Sequence, residues 1–377
     1  MSRGTSDEPL RVVLASTQKA WHGGEEQALL LAHGLRDRGH ECSILARRGG
    51  PFADRMDRED FSVETFSGKG KSPWSLAAIR RRLRQVAPDV LHCNDAHALT
   101  AAGLASIGLA IPVRAAARRV DFPIRSRTKY ERWSDCVVCV STAVAEVCRE
   151  GGISEERLHV VHDGVDPNRM SAGVRSRARQ SLYCMDDEVL LLCVAKLTDH
   201  KGHRFLLDAM PAVLEKNPRV RLALAGDGEL TEPLKQQVAE LGISANVDFL
   251  GFRDDVPDLV AACDFFVISS HLEGLCSSIV DGMFASRPIV ATRAGGIPDL
   301  MGETFAPELP VGWTAPTKDP AALAETILEA IDSPEECRRR CARAFDRAHR
   351  LFTADTMVDR TLEVYRHCIA KRLAAAA

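Results

Sequence analysis

The sequence predicts an α/β protein of two domains, each a doubly wound parallel sheet. Three observations carry this expectation. At 377 residues the chain exceeds one ordinary core and suits two domains of roughly 150 to 200 residues. Short continuous apolar runs such as FFVIS, 265–269, mark strands buried on both faces, as in a parallel sheet. These runs alternate with segments of helical period, and glycines sit at the strand-to-helix turns, the order of repeated βαβ units.

In the first half, RVVLAS (11–16) is a buried strand, and Gly23 and Gly24 mark the turn into a helix over 25–38 with Ala28, Leu29, Leu31, Ala32 and Leu35 at helical spacing. Gly39 and His40 end it ahead of the strand ECSILAR. The Gly-Gly turn serves packing alone or lies against a ligand; the dinucleotide fingerprint Gly-x-Gly-x-x-Gly is absent. Strands at 63–66 and 90–92 follow, and a helix of small residues begins after Asp95, with His92 and His97 flanking the turn at the crevice edge. IRSRTKYERWS reads as a basic helix, either a solvated face or a grip for an anionic acceptor or lipid head groups. DCVVCVSTAVAEVCREGG is strand, serine cap and helix, and LHVVHDGVDP ends a first domain of 1–167.

Residues 167–186 are polar, arginine-rich and without a pattern, so the hinge is placed at their start. The second domain, 168–352, opens with a strand over 189–195 that ends at Lys196, and Lys201 and Gly202 precede an amphipathic helix. Two cations at the carboxyl edge of a parallel sheet are costly to hold unless an anion sits between them. RLALAGDGEL is a strand and turn with Gly226, Asp227 and Gly228, followed by the helix TEPLKQQVAELG, the segment NVDFLGF and a helix under the central strand. The stretch 265–300 is strand, loop, helix from Ser277 or Ser278, strand and glycine turn. Gly274 permits unusual backbone angles, and the free N–H groups of Leu275 to Ser278 form the positive end of that helix, an anion site suited to phosphate. Glu273 and Asp281 flank it. Two helices close the chain, the last of them amphipathic.

Apolar content of 45% and charged content of 27% are those of a globular protein, and no apolar run is long enough to span a membrane. The amino terminus MSRGTSDEPL lacks a hydrophobic leader core, which predicts a cytoplasmic protein. Its twelve cysteines then read as thiols, and Cys136 and Cys139, in an apolar strand with no second pair, read as buried small hydrophobes rather than a metal or redox site. Between Gly68 and Trp133 stand thirteen Lys or Arg against four acids, although the whole chain carries only −3. The first domain therefore presents a basic face; no nucleic-acid partner is expected.

The spacing of Glu273, Gly274 and Asp281, continuing into VATRAGGIPDL, resembles the Glu-x7-Glu motif of retaining GT-B glycosyltransferases. The chain is similar to family four, the glycogen-synthase-like or group 1 enzymes, over nearly its whole length. The helix EEQALLLAHGLRDRGH, the segment VVHDGVD, Lys196 with Lys201-Gly202, and Gly-Asp-Gly stand in the family's order. The resemblance implies a GT-B fold, two Rossmann-like domains facing across a cleft, with the last helix, in 353–377, returning to the first. It also implies that Lys196 and Lys201 clamp the donor diphosphate, and that Gly226 and the backbone of Gly251, Phe252 and Arg253 border the nucleobase. Glu273 would bond the transferred sugar and Asp281 the ribose, while Gly274, Leu275, Cys276, Ser277 and Ser278 meet the phosphates. Gly23 and Gly24 would lie against the donor phosphates or the acceptor. The chain departs from the family at Lys196 for Arg, Asp281 for Glu and Asp163 for Asn. Where the family carries a first-domain His, this chain has Arg118 and Arg119, which with His97 are the acceptor-side candidates. The catalytic candidates are Glu273, Lys201, Lys196 and His97.

The activity implied is retaining, metal-independent transfer from a nucleotide-diphosphate sugar, with no further cofactor, to a glycan, lipid-linked or lipopolysaccharide-type acceptor of the cell envelope. Peripheral contact with the anionic inner face of a membrane is an expectation from the basic domain. The competing readings are a non-catalytic or degenerate nucleotide-sugar-binding GT-B protein and a UDP-sugar epimerase.

Overall fold

A computed structural model describes residues 8–68, 70–306 and 309–376. Residues 1–7, most of the amino-terminal segment MSRGTSDEPL, are outside that set. The chain forms two compact units, one running to Gly164 and taking up the chain again from Ala354, the other Val165–Thr353. The division falls just ahead of the position at which the sequence places the hinge.

The first unit alternates β1 (Arg11–Ser16), α1 (Gly23–Asp37), β2 (Glu41–Arg47), α2 (Pro51–Arg58), β3 (Ser62–Phe66), α3 (Pro73–Val86), β4 (Val90–Cys93), α4 (Ala96–Ala105), β5 (Val113–Arg118), α5 (Arg127–Trp133), β6 (Cys136–Cys139), α6 (Thr142–Glu150) and β7 (Leu158–Val160). Its seven strands are parallel in the order β3-β2-β1-β4-β5-β6-β7. The strand order reverses between β1 and β4, so the loops leaving those two strands diverge and open a crevice at the carboxyl edge. Asp95 begins α4 by accepting from the amides of His97 and Ala98 at 2.8 and 2.9 Å, and Ser141 caps α6 through the Val144 amide.

The second unit contains α7 (Arg175–Ser181), β8 (Val189–Val194), α8 (His203–Lys216), β9 (Val220–Ala225), α9 (Thr231–Glu240), β10 (Val247–Gly251), α10 (Val256–Ala262), β11 (Phe265–Ile268), α11 (Ser277–Phe284), β12 (Ile289–Thr292), α12 (Ile297–Met301), β13 (Trp313–Ala315), α13 (Pro320–Ile331) and α14 (Pro334–Leu351). Its six parallel strands run β10-β9-β8-β11-β12-β13, which puts the switch point between β8 and β11. Helix α7 corrects the reading of 167–186 as patternless. Its arginines are held by acids distant in sequence: Arg177 by Asp258 at 2.8 Å, Arg175 and Arg179 by Asp264 at 2.7 and 3.1 Å.

The last helix, α15 (Ala354–Ala376), packs on α1 in the first unit. Gly34 makes the approach possible, since a Cβ there would lie 2.4 Å from Val358. Tyr365 is fully buried and shares a 2.7 Å hydrogen bond with His92 Nδ1. Burial pushes the His92 pKa down to about 3, so this histidine is a neutral member of the core rather than a residue of the crevice. Cys136 and Cys139 are likewise fully buried, and all twelve cysteines are free thiols.

Candidate active site

In the second unit the carboxyl ends of β8 and β11 are locked together by a glycine. Gly202 has φ +67° and a Cβ there would stand 2.0 Å from the Ser269 carbonyl oxygen; only glycine fits. Ser269 Oγ also donates to the Lys201 carbonyl at 3.1 Å. Lys201 is thereby aimed along the sheet edge, where its Nζ donates to Glu273 Oε1 at 2.5 Å and Ser270 Oγ donates to the same oxygen at 2.8 Å. Burial disfavours the lysine's charge, but Glu273 and Cys276 outweigh it and leave the pKa above the ordinary lysine value. The ammonium and Glu273 form a preset, largely dry pair. Gly202→Ala is expected to cost on the order of 2 to 4 kcal/mol of stability, measured by denaturant unfolding, because both the backbone angle and the Ser269 contact forbid the methyl group.

Glu273 leads into α11, whose start is open. Cys276, the residue before it, takes a left-handed conformation at φ 77° and no side chain caps the helix. A residue other than glycine is strained in that conformation, and the first amides of the helix are left without a side-chain cap. Leu275 and Cys276 are buried while Ser277 is exposed. Burial pushes the Cys276 thiol up to about 12, so it is an inert neighbour and not a nucleophile. Lys196, past the end of β8, is exposed and, among the described residues, makes no ion pair. With Lys201 tied to Glu273, the free positive charge at this edge comes from Lys196 and the open amides.

Asp281, in the second turn of α11, is 4% exposed. Its Oδ1 has no hydrogen-bond partner, and its Oδ2 lies 3.7 Å from the Arg169 guanidinium. Burial raises its pKa to about 6, against the opposing pull of Arg169. An orphaned buried carboxylate oxygen is costly, and a ligand bringing hydroxyl donors would satisfy it. The two acids of the motif thus have separate partners, Lys201 and Ser270 for Glu273, Arg169 for Asp281.

Beside this edge a cavity of about 410 Å³ is lined by Lys196, Gly226, Asp227, Phe252, Arg253 and Val256, among others. The glycines that looked weak in the sequence have a steric reason. A Cβ on Gly226 would sit 2.1 Å from the Ala195 carbonyl oxygen and one on Gly228 2.1 Å from that of Leu197. The Gly251 carbonyl accepts from the Gly226 amide at 2.8 Å and the Phe252 amide donates to Asp227 at 3.0 Å. Those backbone groups are already engaged, so what remains for a planar ligand is the Phe252 ring, 76% exposed, and Arg253, itself paired with Asp255 at 2.5 Å. Asp227, Ser270 and Arg169 are site residues that sequence reasoning missed. Asp227 was signalled by its flanking glycines; Arg169 carried no signal, because only packing brings it to Asp281.

In the first unit, Gly23 and Gly24 are the first residues of α1. A Cβ on Gly23 would meet no atom, whereas one on Gly24 would touch Asn94 and Arg119, so packing does not demand glycine at 23. Glu25, 1% exposed, accepts from Ser16 Oγ at 3.1 Å and from Asn94 at 3.4 Å, and burial raises its pKa. Arg119 bridges Asn94 at 2.6 Å and Asp163 at 3.0 Å. His97 is exposed on the first turn of α4, and Arg118 ends β5 nearly buried.

Among known proteins, the family described as glycosyl transferases group 1 matches residues 174–347, and the one described as glycosyltransferase family 4 matches 21–169. The lipopolysaccharide core biosynthesis glycosyltransferase LpsE of Rhizobium meliloti is 31% identical over 176 residues, 47% of this chain and 48% of that protein. The MMP alpha-(1->4)-mannosyltransferase of Mycolicibacterium hassiacum is 30% identical over 236 residues, 61% of this chain and 53% of its own. The chain spans about half the length of the curated relatives it matches first. Among solved structures, Anabaena HepE in complex with UDP superposes with a TM-score of 0.82 at 23% identity, covering 94% of this chain and 99% of that one. The lipopolysaccharide outer core galactosyltransferase WaaB, in its apo form, does so at 0.72 and 15%, covering 97% and 99%. These likenesses establish the GT-B fold, and with two family matches that together run from residue 21 to residue 347, the chain belongs to the group 1 glycosyltransferases.

Proposed function

We propose that the protein transfers a sugar, with retention and without a metal ion, from a nucleoside-diphosphate donor to a glycan, lipid or lipopolysaccharide-type acceptor. The observation that carries this is the pair of half-buried Lys201 and buried Glu273 held at the uncapped start of α11. The cavity bordered by Phe252 takes the base, and the orphan Asp281 oxygen takes the ribose hydroxyls. Lys196, Lys201 and the amides of α11 receive the diphosphate. Glu273 accepts from hydroxyls of the sugar, and Lys201, held in place by Glu273, donates to the phosphate.

The barrier to such a transfer is charge separation, an oxocarbenium-like sugar against a departing diphosphate. Fixed cations and amides aimed at the leaving oxygens lower it, and being preset they need no reorganisation. Glu273 is tied to Lys201 and Ser270 and is poorly placed to act as a free nucleophile. Departure and attack on the same face, with the leaving phosphate taking the acceptor's proton, is therefore the path favoured over a covalent intermediate. Capture of a glycosyl adduct on an active-site carboxylate would sink this path.

Donor turnover in wild type and Glu273→Ala tests the reading. A transferase is expected to lose about 10² to 10³ in rate, and its product to keep the donor's anomeric configuration by NMR. A protein that binds donor but has no rate to lose is a non-catalytic member, and a donor isomerised without acceptor marks an epimerase.

A further inference from the structure

Three cations stand at the carboxyl edge of the first unit's sheet with no ion pair to a carboxylate among the described residues: Lys71, Arg118 and Lys129. Arg118, the last residue of β5, is 9% exposed. Its Nη1 donates to the Tyr130 hydroxyl at 3.3 Å, its Nη2 to the Phe122 carbonyl, and its Nε to nothing. Lys129 lies over the same tyrosine, 5.3 Å from the ring centroid, and donates to the Ala96 carbonyl at 2.9 Å. Two cations share one tyrosine, and each is satisfied only by neutral oxygens.

The next residue, Arg119, is by contrast neutralised by Asp163. Burial, then Arg118, then Lys71 push the Lys129 pKa down, and Asp95 on α4 offsets only part of this. Removing charges from water without a counter-charge is expensive, and such a grouping is completed by an anion with several acceptor oxygens. Beside it Val120 and Phe122 are 42% and 51% exposed.

We propose that Lys71, Arg118 and Lys129 form a second anion site, separate from the donor site on α11, that takes a phosphate group carried by the acceptor. It rests on the reading of the first unit as the acceptor's side.

The test is a titration of the full chain with inorganic phosphate at constant ionic strength, read by thermal shift with UDP saturating. Wild type is expected to gain a saturable rise in Tm, and Lys129→Ala to need about tenfold more phosphate for the same rise. Lys71→Ala, at an exposed position, serves if Lys129→Ala does not fold. No saturable rise in wild type, or an equal rise in the variants, overturns the site. Vesicles of phosphatidylglycerol replace phosphate in a second arm. Flotation that the variants lose assigns the phosphate to a lipid, while a phosphate response without flotation assigns it to a soluble acceptor, and either upholds the site. If UDP does not bind, the donor reading falls, but wild type against Lys129→Ala in phosphate alone still decides this one.

Discussion

Lys201→Ala is expected to lower kcat/KM for the donor by about 10² to 10³, on the order of 2 to 4 kcal/mol of transition-state stabilisation. Two losses combine. The diphosphate loses a positioned cation, and Glu273, 7% exposed, keeps only the Ser270 hydroxyl and its remaining contacts against its buried charge. The variant should therefore also melt earlier than wild type. Lys196→Ala removes an exposed cation that supports no buried acid, so it should weaken donor binding without lowering Tm. A Lys201→Ala loss below threefold in kcat/KM would mean that the diphosphate is held elsewhere.

Asp281→Asn is expected to stabilise the free protein at pH 8 while weakening nucleotide binding. The folded carboxyl titrates at about 6 against an ordinary 3.8. A raised folded value means that the favourable contribution is complete below pH 4 and is lost as pH rises through 6. Above that the buried charge costs about 3 kcal/mol, at roughly 1.4 kcal/mol per pH unit. The amide removes this cost and leaves Arg169, which is half-exposed, to water. Denaturant unfolding at pH 8 should thus show a gain for the variant that vanishes near pH 4. Donor affinity should behave oppositely. It needs the ionised acid to accept ribose hydroxyls, so in wild type it falls about tenfold per pH unit below 6 and in the variant is weak and flat. A variant that binds nucleotide as tightly as wild type would remove Asp281 from the ribose.

Both predictions rest on features of unequal visibility in the sequence. The strand FFVIS, the helix start at Ser277 and the Lys201-Gly202 pair were legible because burial on both faces, the change from strand to helical period and glycine turns are local. Helix α7 was not, since its arginines draw their support from Asp258 and Asp264, far along the chain. Helix α3, which lies within the basic stretch between Gly68 and Trp133, starts from a local signal: Ser72 accepts from the Ser75 amide and Pro73 follows. The run of arginines at 80–82 obscured its apolar face, Ile79 and Leu83. The motif's two acids were found by spacing, but their states were not. Glu273 is bridged by Lys201 and Ser270, while Asp281 keeps one orphan oxygen and meets Arg169 at the other, because the turn carrying that arginine packs on α11. His92 went the other way: a histidine at a strand end suggested the crevice, and a tyrosine 273 positions later claimed it for the core.

The most direct measurement is calorimetric titration of the full chain with UDP, GDP and ADP, with and without magnesium, repeated on Lys201→Ala. The account predicts that one diphosphate binds in preference to the others, without need of the metal, and that Lys201→Ala abolishes that binding. Binding that survives the substitution, or no binding of any diphosphate, would contradict a donor site built on Lys201, Glu273 and the open start of α11.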